Sequence, residues 1–474
     1  MTSTQCHQSG LWLLLILLSC MGFRSFFMVG YSLAHDSLES DEAADVSSGS
    51  PMDIHKNIFG HGSKESCAHI VSHSNPRRSH RVSITDFGAV GDGKTLNTHA
   101  FEKALIYLRT YARRGGAQLR IPGGRWLTGS ITLISHLTLF LEKGAVILGS
   151  EDFNNYPIIP GLPSYGRGRE LPGPRYSSLI NGNDLEDVII TGDHGTIDGQ
   201  GAVWWNAFRN ETLKHTRGHM VELIRGRNIL ISNLTFRNSP FWTIHPVFCK
   251  NVVIKHVTIL NPVDVGPNTD GVDPDSSQYV CIEDCYFQTG DDSISIKSGW
   301  DEYGISFGMP SKHIWVKRIV SFPHSAGISF GSEMSGGISD VQVDDMVISG
   351  GRWGVRLKTA VGRGAYIKGI AVNNVSMYSV KTAIALMGDY GGHPDENWNR
   401  TAYPVMKNIL IKNIAGENIT QAGLLLGLPQ SPWHNIHLAN IAIKVSSTIT
   451  SWNCSWVSGS YSSVLPRPCP ELAR

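Results

Sequence analysis

The chain has 474 residues, with 41 Lys and Arg against 40 Asp and Glu, a formal net charge of +1, and 50 Gly. This balance is typical of a globular protein and excludes the strongly basic class that binds nucleic acids. A nearly neutral chain has little long-range attraction for a polyanion. An acidic substrate must therefore be attracted by a local basic patch.

The N-terminus predicts a targeting segment. Residues 11–18 are all apolar, a length that suits the core of a signal peptide rather than a full membrane span, and Ser32-Leu33-Ala34 forms a small-residue cleavage site. Mostly apolar residues at 26–31 leave an uncleaved signal anchor open. We expect residues 1–34 to direct the protein to the extracellular space or cell wall, with no stable membrane partner unless the anchor is retained.

Cysteine and glycosylation signals agree with secretion. Six Cys follow the leader, and Cys454 and Cys469, which flank a short tail, are expected to form a disulfide. Cys281 and Cys285 have no second pair of ligands at metal-binding spacing, so we interpret them as disulfide or core residues. The acceptor sequons for N-glycosylation are at Asn210, Asn233, Asn374, Asn399, Asn418 and Asn453.

A polar segment precedes the folded domain. Residues 35–79 are rich in Ser, His, Asp and Gly with little apolar periodicity, which predicts a disordered pro-segment or linker. Residues 80–474 are expected to form one β-helix domain. Near its start, Asn97 and Thr98 are expected to cap an amphipathic helix over the open end of a solenoid. The apolar face of this helix is Phe101, Ala104, Leu105, Leu108 and Ala112.

A strand-like phrase then recurs along the chain. Its starts lie 23 (251 minus 228) to 39 (408 minus 369) residues apart, and apolar and polar residues alternate within most copies, the period of a strand with one buried face. The copies begin at Asn228, Asn251, Tyr279, His313, Asp340, Gly369, Asn408 and Asn435.

A second set of short strands lies between these copies. Two ladders with a common, uneven period predict an all-β fold, a right-handed parallel β-helix whose coils are joined by loops of variable length. The members of the second ladder are 243–247, 271–275, 293–297, 327–331, 354–358, 383–387 and 423–427.

The second ladder is expected to expose polar side chains on one face. In each member the second and fourth residues are apolar and point inward, so the third and fifth point outward. The third residues form a column of His245, Asp273, Ser295, Ser329, Arg356 and Ala385. The fifth residues form a column of Val247, Asp275, Lys297, Gly331, Lys358 and Met387. Neighbouring coils stack about 4.8 Å apart, so carboxylates and cations gather on this face.

Three further carboxylates precede these strands. Asp270 and the pair Asp291-Asp292 lie on adjacent coils, where they can span the roughly 6.5–9.5 Å that separates the two carboxyl groups of inverting glycosidases. Crowding should hold one of them protonated near neutral pH. Arg356 and Lys358 could bind a uronate carboxylate, or could form a salt bridge to the same aspartates. The pattern favours hydrolysis of an acidic polysaccharide.

Three ordered blocks resemble the signature of glycoside hydrolase family 28, the polygalacturonases. They are Asn268-Thr-Asp270, Gly290-Asp-Asp292 and Arg356-Leu-Lys358. The blocks Ser239–His245, Asp86–Gly93 and Pro468–Leu472 are similar to the plant branch. The resemblance covers most of the chain after the polar segment. It implies an inverting hydrolase that cuts α-1,4-linked galacturonan in pectin without a metal or other cofactor. We expect a monomer.

The resemblance also implies roles for single residues. Asp291 would be the general acid, and Asp270 and Asp292 would position and deprotonate the attacking water. The substrate-binding residues, taken from the resemblance and from the outward columns together, are Arg356, Lys358, Asn268, His245, Lys297, Asp273, Tyr390 and His324.

Two positions depart from the family pattern. The family usually has Gly-His-Gly before its next ladder strand, whereas this chain has Ser325-Ala326-Gly327, with His324 two places upstream of Ala326. Either His324 takes the role of that histidine, or the site works without it. Ser293 stands where the family commonly has Cys, so a whole disulfide is expected to be absent.

Two other functions stay open from the sequence. A calcium-dependent pectate lyase would share the solenoid and would use Asp270, Asp273 and Asp275 as ligands. A non-catalytic pectin-binding wall protein would be consistent with the loss of the histidine. Endo or exo action also stays open, because the insertions at 150–176 and 388–405 could close the ends of the groove.

Overall fold

The structure is a computed structural model that describes Cys67 and residues 78–446 and 451–473. Most strands run parallel to their neighbours in ladders that wind around one apolar core as a right-handed parallel β-helix. The predicted fold class is therefore confirmed. Within these ranges, no helix is long and apolar enough to cross a membrane. The predicted leader, residues 1–34, lies outside the described residues.

Most of the predicted linker at 35–79 also lies outside the described residues. Two of its described positions are attached to the solenoid. Cys67 forms a disulfide with Cys281, and the buried Arg78 donates a hydrogen bond to the Asp187 carboxylate at 2.6 Å. At these two positions the segment is part of the folded domain, which begins before residue 80.

The first ladder is a continuous sheet of 19 strands. Its register pairs Ile229, Val252, Val280, Ile314 and the equivalent residue of each later copy, so all eight predicted repeat starts align. The strands are His80–Ser83, Ala117–Ile121, Gly124–Thr128, Leu137–Leu141, Ala145–Gly149, Glu186–Gly192, Thr196–Asp198, Arg227–Ser232, Thr235–Arg237, Lys250–Lys255, Thr258–Leu260, Gln278–Thr289, Ser311–Pro323, Ile338–Ser349, Tyr366–Tyr378, Val405–Ile419, Trp433–Val445, Val457–Leu465 and Leu472–Ala473.

The second ladder is formed by sheets of four and six strands, which isolated bridges through Val272 join into one series. Its strands are Ile131–Thr132, Ile180–Asn183, Val221–Ile224, Ile244–Val247, Ile294–Ile296, Ala326–Phe330, Trp353–Lys358, Thr382–Met387, Gln421–Leu426 and Trp452–Ser455. The register stacks the third and fifth columns as predicted, for example Ser329 beside Arg356 and Asp275 beside Lys297.

The predicted register slips by one residue in one late coil. Gly423 pairs with Ile384 at an inward position, and Leu424 rather than Leu425 follows Ala385 in the third column. The ring of Trp452 occupies the space into which a Cβ at position 423 would project. Only glycine fits beneath that ring, which moves the inward position to Gly423.

The corners of the coils explain why the repeated phrase begins with small polar residues. All eight repeat starts have a positive φ, from 54° at Asp340 to 64° at Gly369. Seven of the eight are Asn, Asp, His or Gly, which tolerate this left-handed conformation better than branched or bulky residues do, and Tyr279 is the exception. The recurring Asn and Asp therefore turn the chain into each strand of the first ladder.

The predicted capping helix spans Thr98–Ala112 and buries the predicted apolar face against the first coils. Asn97 does not cap it through its side chain, which was the expected device. Its Oδ1 accepts from Val90 N at 2.7 Å and its amide donates to the Leu127 carbonyl oxygen. The side chain thus connects the helix start to neighbouring loops.

The remaining regular elements lie in the connections between coils. They are the 3-10 turns Ile84–Phe87 and Phe153–Asn155, the helices Ala202–Arg209 and Asp301–Phe307, and an antiparallel pair formed by Ile158–Ile159 and Arg175–Tyr176.

The cysteines behave as interpreted. Cys454 and Cys469 are bonded, Cys281 is in a disulfide, and Cys285 is a buried free thiol. Ser293, at the position of the expected missing disulfide, is buried and accepts a hydrogen bond from Ser321 at 2.7 Å.

Candidate active site

The three aspartates that the sequence singled out meet at the start of two adjacent coils. One oxygen each of Asp270, Asp291 and Asp292 lies within 4.8 Å of the others. This distance joins single oxygens, whereas the roughly 6.5–9.5 Å of inverting glycosidases separates the two carboxyl groups as wholes. The coils are in direct contact, since Gly271 N donates to the Asp292 carbonyl oxygen at 3.0 Å. The predicted clustering is confirmed.

Two loop residues bring the aspartates together. A Cβ on Gly290 would lie 2.1 Å from the Gly266 carbonyl oxygen, so only glycine permits the two loops to approach this closely. Thr269 Oγ1 fixes the approach, because it accepts from Gly290 N at 3.0 Å and donates to Gly266 O at 2.7 Å. The sequences around Asp270 and Asp291 therefore fold as one unit.

Asp292 is held in its charged form. It is fully buried, and burial alone would raise its pKa. The neighbouring Lys358 and Arg356 outweigh that effect and lower the pKa of Asp292 to about 2. Lys358 Nζ lies 2.8 Å from Oδ2, and the backbone amide of Ala326 donates to Oδ1 at 3.0 Å. Asp292 is therefore ionised at neutral pH.

Asp291 and Asp270 are shifted in the opposite direction. Burial, followed by the charge of Asp292, raises the pKa of Asp291. Burial, followed by the carboxylates of Asp291 and Asp273, raises the pKa of Asp270 well above its usual range. Asp291 is the only one of the three aspartates with appreciable exposure. The cluster thus places an accessible carboxyl group with a raised pKa beside an ionised carboxylate, the pairing needed for acid–base chemistry.

The predicted cations stand beside the cluster, and they have different partners. Lys358 pairs with Asp292, so the salt-bridge interpretation holds for this residue. The Arg356 guanidinium lies 4.7 Å from the Trp353 ring centroid and 5.0 Å from that of Tyr390. Its buried Nε has no hydrogen-bond partner among the described residues. Arg356 is therefore available for an anionic ligand.

Lys297 joins a second charged group on the same face. Its Nζ lies 4.3 Å from the Trp242 ring centroid, 3.6 Å from Asp273 Oδ1 and 3.4 Å from Glu333 Oε2. Burial opposes its charge, but Glu333 and Asp273 outweigh burial and raise the pKa of Lys297. Burial also raises the pKa of Asp273 to about 7, against the opposing effect of Lys297.

His245 does not face the groove, contrary to prediction. It has no exposed surface, and its Nδ1 and Nε2 lie 3.1 Å from Glu222 and 3.4 Å from Asp275. Burial opposes its charge, but the two carboxylates outweigh burial and raise the pKa of His245 to about 9. Because other groups cover its coil, His245 lies beneath the site as a buried cation and does not reach the groove.

The face predicted to be exposed is largely covered. A segment at 162–171 folds over it. In this segment Tyr165 donates to Asp275 Oδ2 at 2.6 Å, and Arg169 pairs with Glu333 at 2.6 Å. Alternation along a strand predicted correctly which residues leave the core. It could not show that a distant loop returns to bury them.

Several site residues were missed by the sequence reasoning. Glu222 pairs in register with His245, so extending the third column by one coil would have found it. Glu333 and the buried Arg217 lie in irregular connections, where no periodic signal marks them. Arg217 donates to Asn268 Oδ1 at 3.0 Å, and Asn268 in turn approaches Asp291 at 3.4 Å. Asn268 is therefore placed beside the cluster, as predicted.

No histidine takes the place of the family histidine among the described contacts of the aspartates, although the Ser325 side chain hydrogen-bonds to Asp292 and helps to lower its pKa. His324 has a partly exposed side chain, and its described ionic neighbour is Asp264 at 3.9 Å, on the rim of the site. The structure does not bring His324 to the three aspartates. The chain at Ala326 instead contributes its backbone amide to Asp292.

Among the described residues, four groups of side chains have a spacing that could hold a metal ion. In two of them the cysteines are joined in a disulfide, and the other two face cations. The cluster of Asp270, Asp291 and Asp292 is paired with Lys358. The group of His219, Glu222 and His245 is paired with Arg175, which donates to both Glu222 oxygens. The calcium site considered above is also disfavoured, because Asp273 and Asp275 face Lys297, His245 and Tyr165.

A parallel β-helix that carries clustered aspartates and adjacent cations on one ladder defines a polysaccharide-active enzyme. The sequence profile of glycosyl hydrolases family 28 matches residues 165–463. A Vitis vinifera protein described as a probable polygalacturonase is 48% identical over 398 residues, which cover 83% of this chain and 81% of the relative. The chain belongs to glycosyl hydrolases family 28, and it is a glycoside hydrolase.

Solved structures agree with this assignment. An exopolygalacturonase from Thermotoga maritima has a TM-score of 0.73 and 29% identity, and the match covers 84% of this chain and 94% of that one. A polygalacturonase from Erwinia carotovora has a TM-score of 0.64 at 23% identity, with 81% and 98% covered, and shows the same fold. The resemblance predicted from the three sequence blocks is confirmed.

Proposed function

We propose that the protein hydrolyses α-1,4-galacturonosyl linkages in pectin with inversion of the anomeric centre. The observation that carries the proposal is the contrast between Asp291, whose pKa is raised, and Asp292, whose pKa is lowered to about 2. The contrast supports one proton donor and one ionised carboxylate at adjacent positions. The Vitis vinifera relative, described as a probable polygalacturonase, supports the substrate.

In this mechanism Asp291 donates its proton to the glycosidic oxygen. The bond from that oxygen to the anomeric carbon breaks, and its electron pair goes to the leaving sugar. Water attacks from the opposite face of the ring and its acidity rises as the new bond forms, so the ionised Asp292 can accept its proton. Asp291 ends deprotonated and Asp292 protonated, and proton exchange with solvent restores the starting state.

Asp270 is proposed to position the attacking water. Its pKa is raised well above the usual range, which favours its protonated form, and the hydroxyl of that form can hydrogen-bond to the water while Asp292 serves as the base. One oxygen of Asp270 is buried without a hydrogen-bond partner among the described residues. A polar atom left in this way is suited to hold a water or a substrate hydroxyl.

The substrate carboxylate is proposed to bind at Arg356. Its guanidinium is stacked between Trp353 and Tyr390, which fixes the plane that a carboxylate would meet in a bidentate contact. Lys358 lies 5.3 Å from the Tyr390 ring and adds positive charge. Lys297, on the coil of Asp292, adds to the positive charge of the same face. We propose that Arg356, Lys358 and Lys297 form the local basic patch that the neutral composition led us to expect.

The remaining expectations stand as part of the proposal. Residues 1–34 direct the chain out of the cell, and the solenoid acts in the cell wall as a monomer on pectin. Hydrolysis requires no metal or organic cofactor in this scheme, because Asp291 and Asp292 perform both proton transfers and Lys358 supplies the positive charge beside the base.

One assay distinguishes the proposed function from its alternatives. Purified protein is incubated with polygalacturonate, and reducing ends and ultraviolet absorbance are recorded together. Hydrolysis predicts reducing ends without absorbance, in the presence or absence of a chelator. A lyase would form an absorbing unsaturated uronate, and a binding protein would release no reducing ends.

A further inference from the structure

We propose that one end of the groove is closed, so that the enzyme removes sugars from a chain end instead of cutting within the chain. This inference rests on the proposed function, since it specifies how the same site selects pectin. It is carried by the segment 162–171, here called the barrier loop, which crosses the second ladder directly beside the coil of Asp270.

The barrier loop buries the outward face of the coil that precedes Asp270. That coil, Ile244–Val247, is fully buried, including its outward residues His245 and Val247. A separate apolar cluster lies on its outer side, away from the main core. The buried members of the cluster are Leu162, Tyr165, Phe241, Trp242, Val247, Phe248 and Trp300. A sugar cannot lie on this coil without breaking the cluster.

The barrier loop is attached at both sides of the ladder. At the C-terminal side of the strands, the Tyr165 hydroxyl donates to Asp275, and both residues are buried. At the N-terminal side, Glu170 accepts from the buried Arg217, which also donates to Asn268. The loop therefore spans the width of the face, from one edge of the groove to the other.

A second long connection supports the barrier loop from outside. Arg167 donates to the Pro394 carbonyl oxygen and lies 5.9 Å from the Trp300 ring. Arg169 lies 4.2 Å from the same ring. Both insertions that the sequence marked, 150–176 and 388–405, thus meet at this wall. Contacts at several points give a fixed barrier, because each restrains a different part of the loop.

The opposite direction along the solenoid is open. Beyond Arg356 and Lys358, the outward residues Met387, Leu424 and Leu426 are partly exposed. The aspartates therefore lie next to the closed end, and Arg356 and Lys358 lie on the open side. A galacturonan chain can enter from one direction only, and its terminus must stop at the barrier loop before a linkage reaches Asp291.

The test follows product length from the first minutes of reaction. The wild-type enzyme acts on oligogalacturonates of defined length labelled at the reducing end, and on long polygalacturonate in a viscometer. We expect one short product from the start and a slow fall in viscosity per reducing end released. Mixed oligomers and a rapid fall would overturn the closed end while leaving hydrolysis intact. Absence of any release would instead overturn the proposed function, and this inference with it.

A variant tests whether the barrier loop is responsible. The double variant Tyr165→Ser with Arg167→Ser removes the Tyr165 ring, with its contact to Asp275, and the Arg167 contact to Pro394. Arg169 and Glu170 still pair with their buried partners. We expect the share of early products longer than the wild-type product to rise at least several-fold. The control Arg318→Ala breaks exposed ion pairs on the other ladder and should leave the product pattern unchanged. A folded double variant with the wild-type pattern would overturn the assignment to the barrier loop. If the variant does not fold, the wild-type products decide.

Discussion

Lys358 Nζ lies 2.8 Å from Asp292 Oδ2, and both groups are buried. This contact determines which carboxylate of the cluster is ionised. Without a cation, three carboxyl groups this close would share protons, because burial and mutual repulsion disfavour every charge. With Lys358 in place, Asp292 keeps its charge and raises the pKa of Asp291.

Replacement of Lys358 should change the pH profile as well as the rate. Lys358→Ala removes the partner that lowers the pKa of Asp292, so that pKa rises and the acidic limb of kcat moves to higher pH. We expect a loss in kcat on the order of 100-fold. Lys358→Arg keeps the charge and should retain the position of the limb. A rise in KM with an unmoved acidic limb would show that Lys358 only binds substrate.

His245 should make stability depend on pH above neutrality. Its folded pKa of about 9 exceeds the ordinary value of 6.5, so the protonated form stabilises the fold. That stabilisation is complete below pH 6.5 and is lost as pH rises through 9. The shift corresponds to an upper limit on the order of 3 kcal/mol.

Thermal unfolding of wild type and His245→Gln between pH 6 and 10 measures this effect. The wild-type Tm should fall between pH 6 and 10. The variant should have a lower Tm than the wild type at pH 6, and its Tm should fall less as the pH rises. Burial opposes the charge of Glu222, but Arg175 and the two histidines outweigh burial and lower its pKa, so this carboxylate stays charged in this range and does not produce the slope. Parallel Tm curves for the two proteins would contradict the assignment.

The Cys67–Cys281 disulfide should contribute strongly to stability. It closes a loop of 214 residues, whereas Cys454–Cys469 closes one of 15. Loop entropy predicts losses of about 5 and about 3 kcal/mol when each bond is removed. Denaturant unfolding of Cys67→Ser and Cys469→Ser should therefore show the larger loss for Cys67→Ser. An equal or smaller loss for Cys67→Ser would contradict the prediction from loop length.

The stereochemistry of the product tests the proposed inversion independently of the carboxylate separation. The oxygens of the ionised Asp292, the proposed base, are engaged by Lys358 and by the amide of Ala326. Proton NMR of the first product from an α-linked substrate should show the β anomer before mutarotation. The α anomer as first product would require a covalent intermediate.

The solenoid could be predicted from the sequence because the same local pattern of residues recurs in each coil. Asn228, Asn251 and Asp340 occupy left-handed corners that few other residues accept, so each marks the start of a strand. Alternation within the strands then placed Asp273, Lys297 and Arg356 outside the core. The aspartate cluster followed, since stacked coils bring equivalent positions into contact.

The enclosure of the site could not be predicted in the same way. Tyr165 reaches Asp275 across 110 positions of the chain, from a loop without periodicity. The hydrogen bond from the Ala326 amide to Asp292 could not be predicted either, because a backbone donor does not depend on the side chain. Because the covering loop could not be predicted, His245 was wrongly expected to meet substrate. Because the backbone donor could not be predicted, the sequence at Ala326 indicated only the loss of the family histidine.

The assignment of Asp291 as the proton donor is the central claim, and Asp291→Asn tests it most directly. The variant keeps the size of the side chain but cannot protonate the leaving oxygen. Release of reducing ends from polygalacturonate should fall at least about 100-fold, while equilibrium binding of oligogalacturonate changes little. Hydrolysis within a few-fold of wild type, at unchanged affinity, would contradict the account.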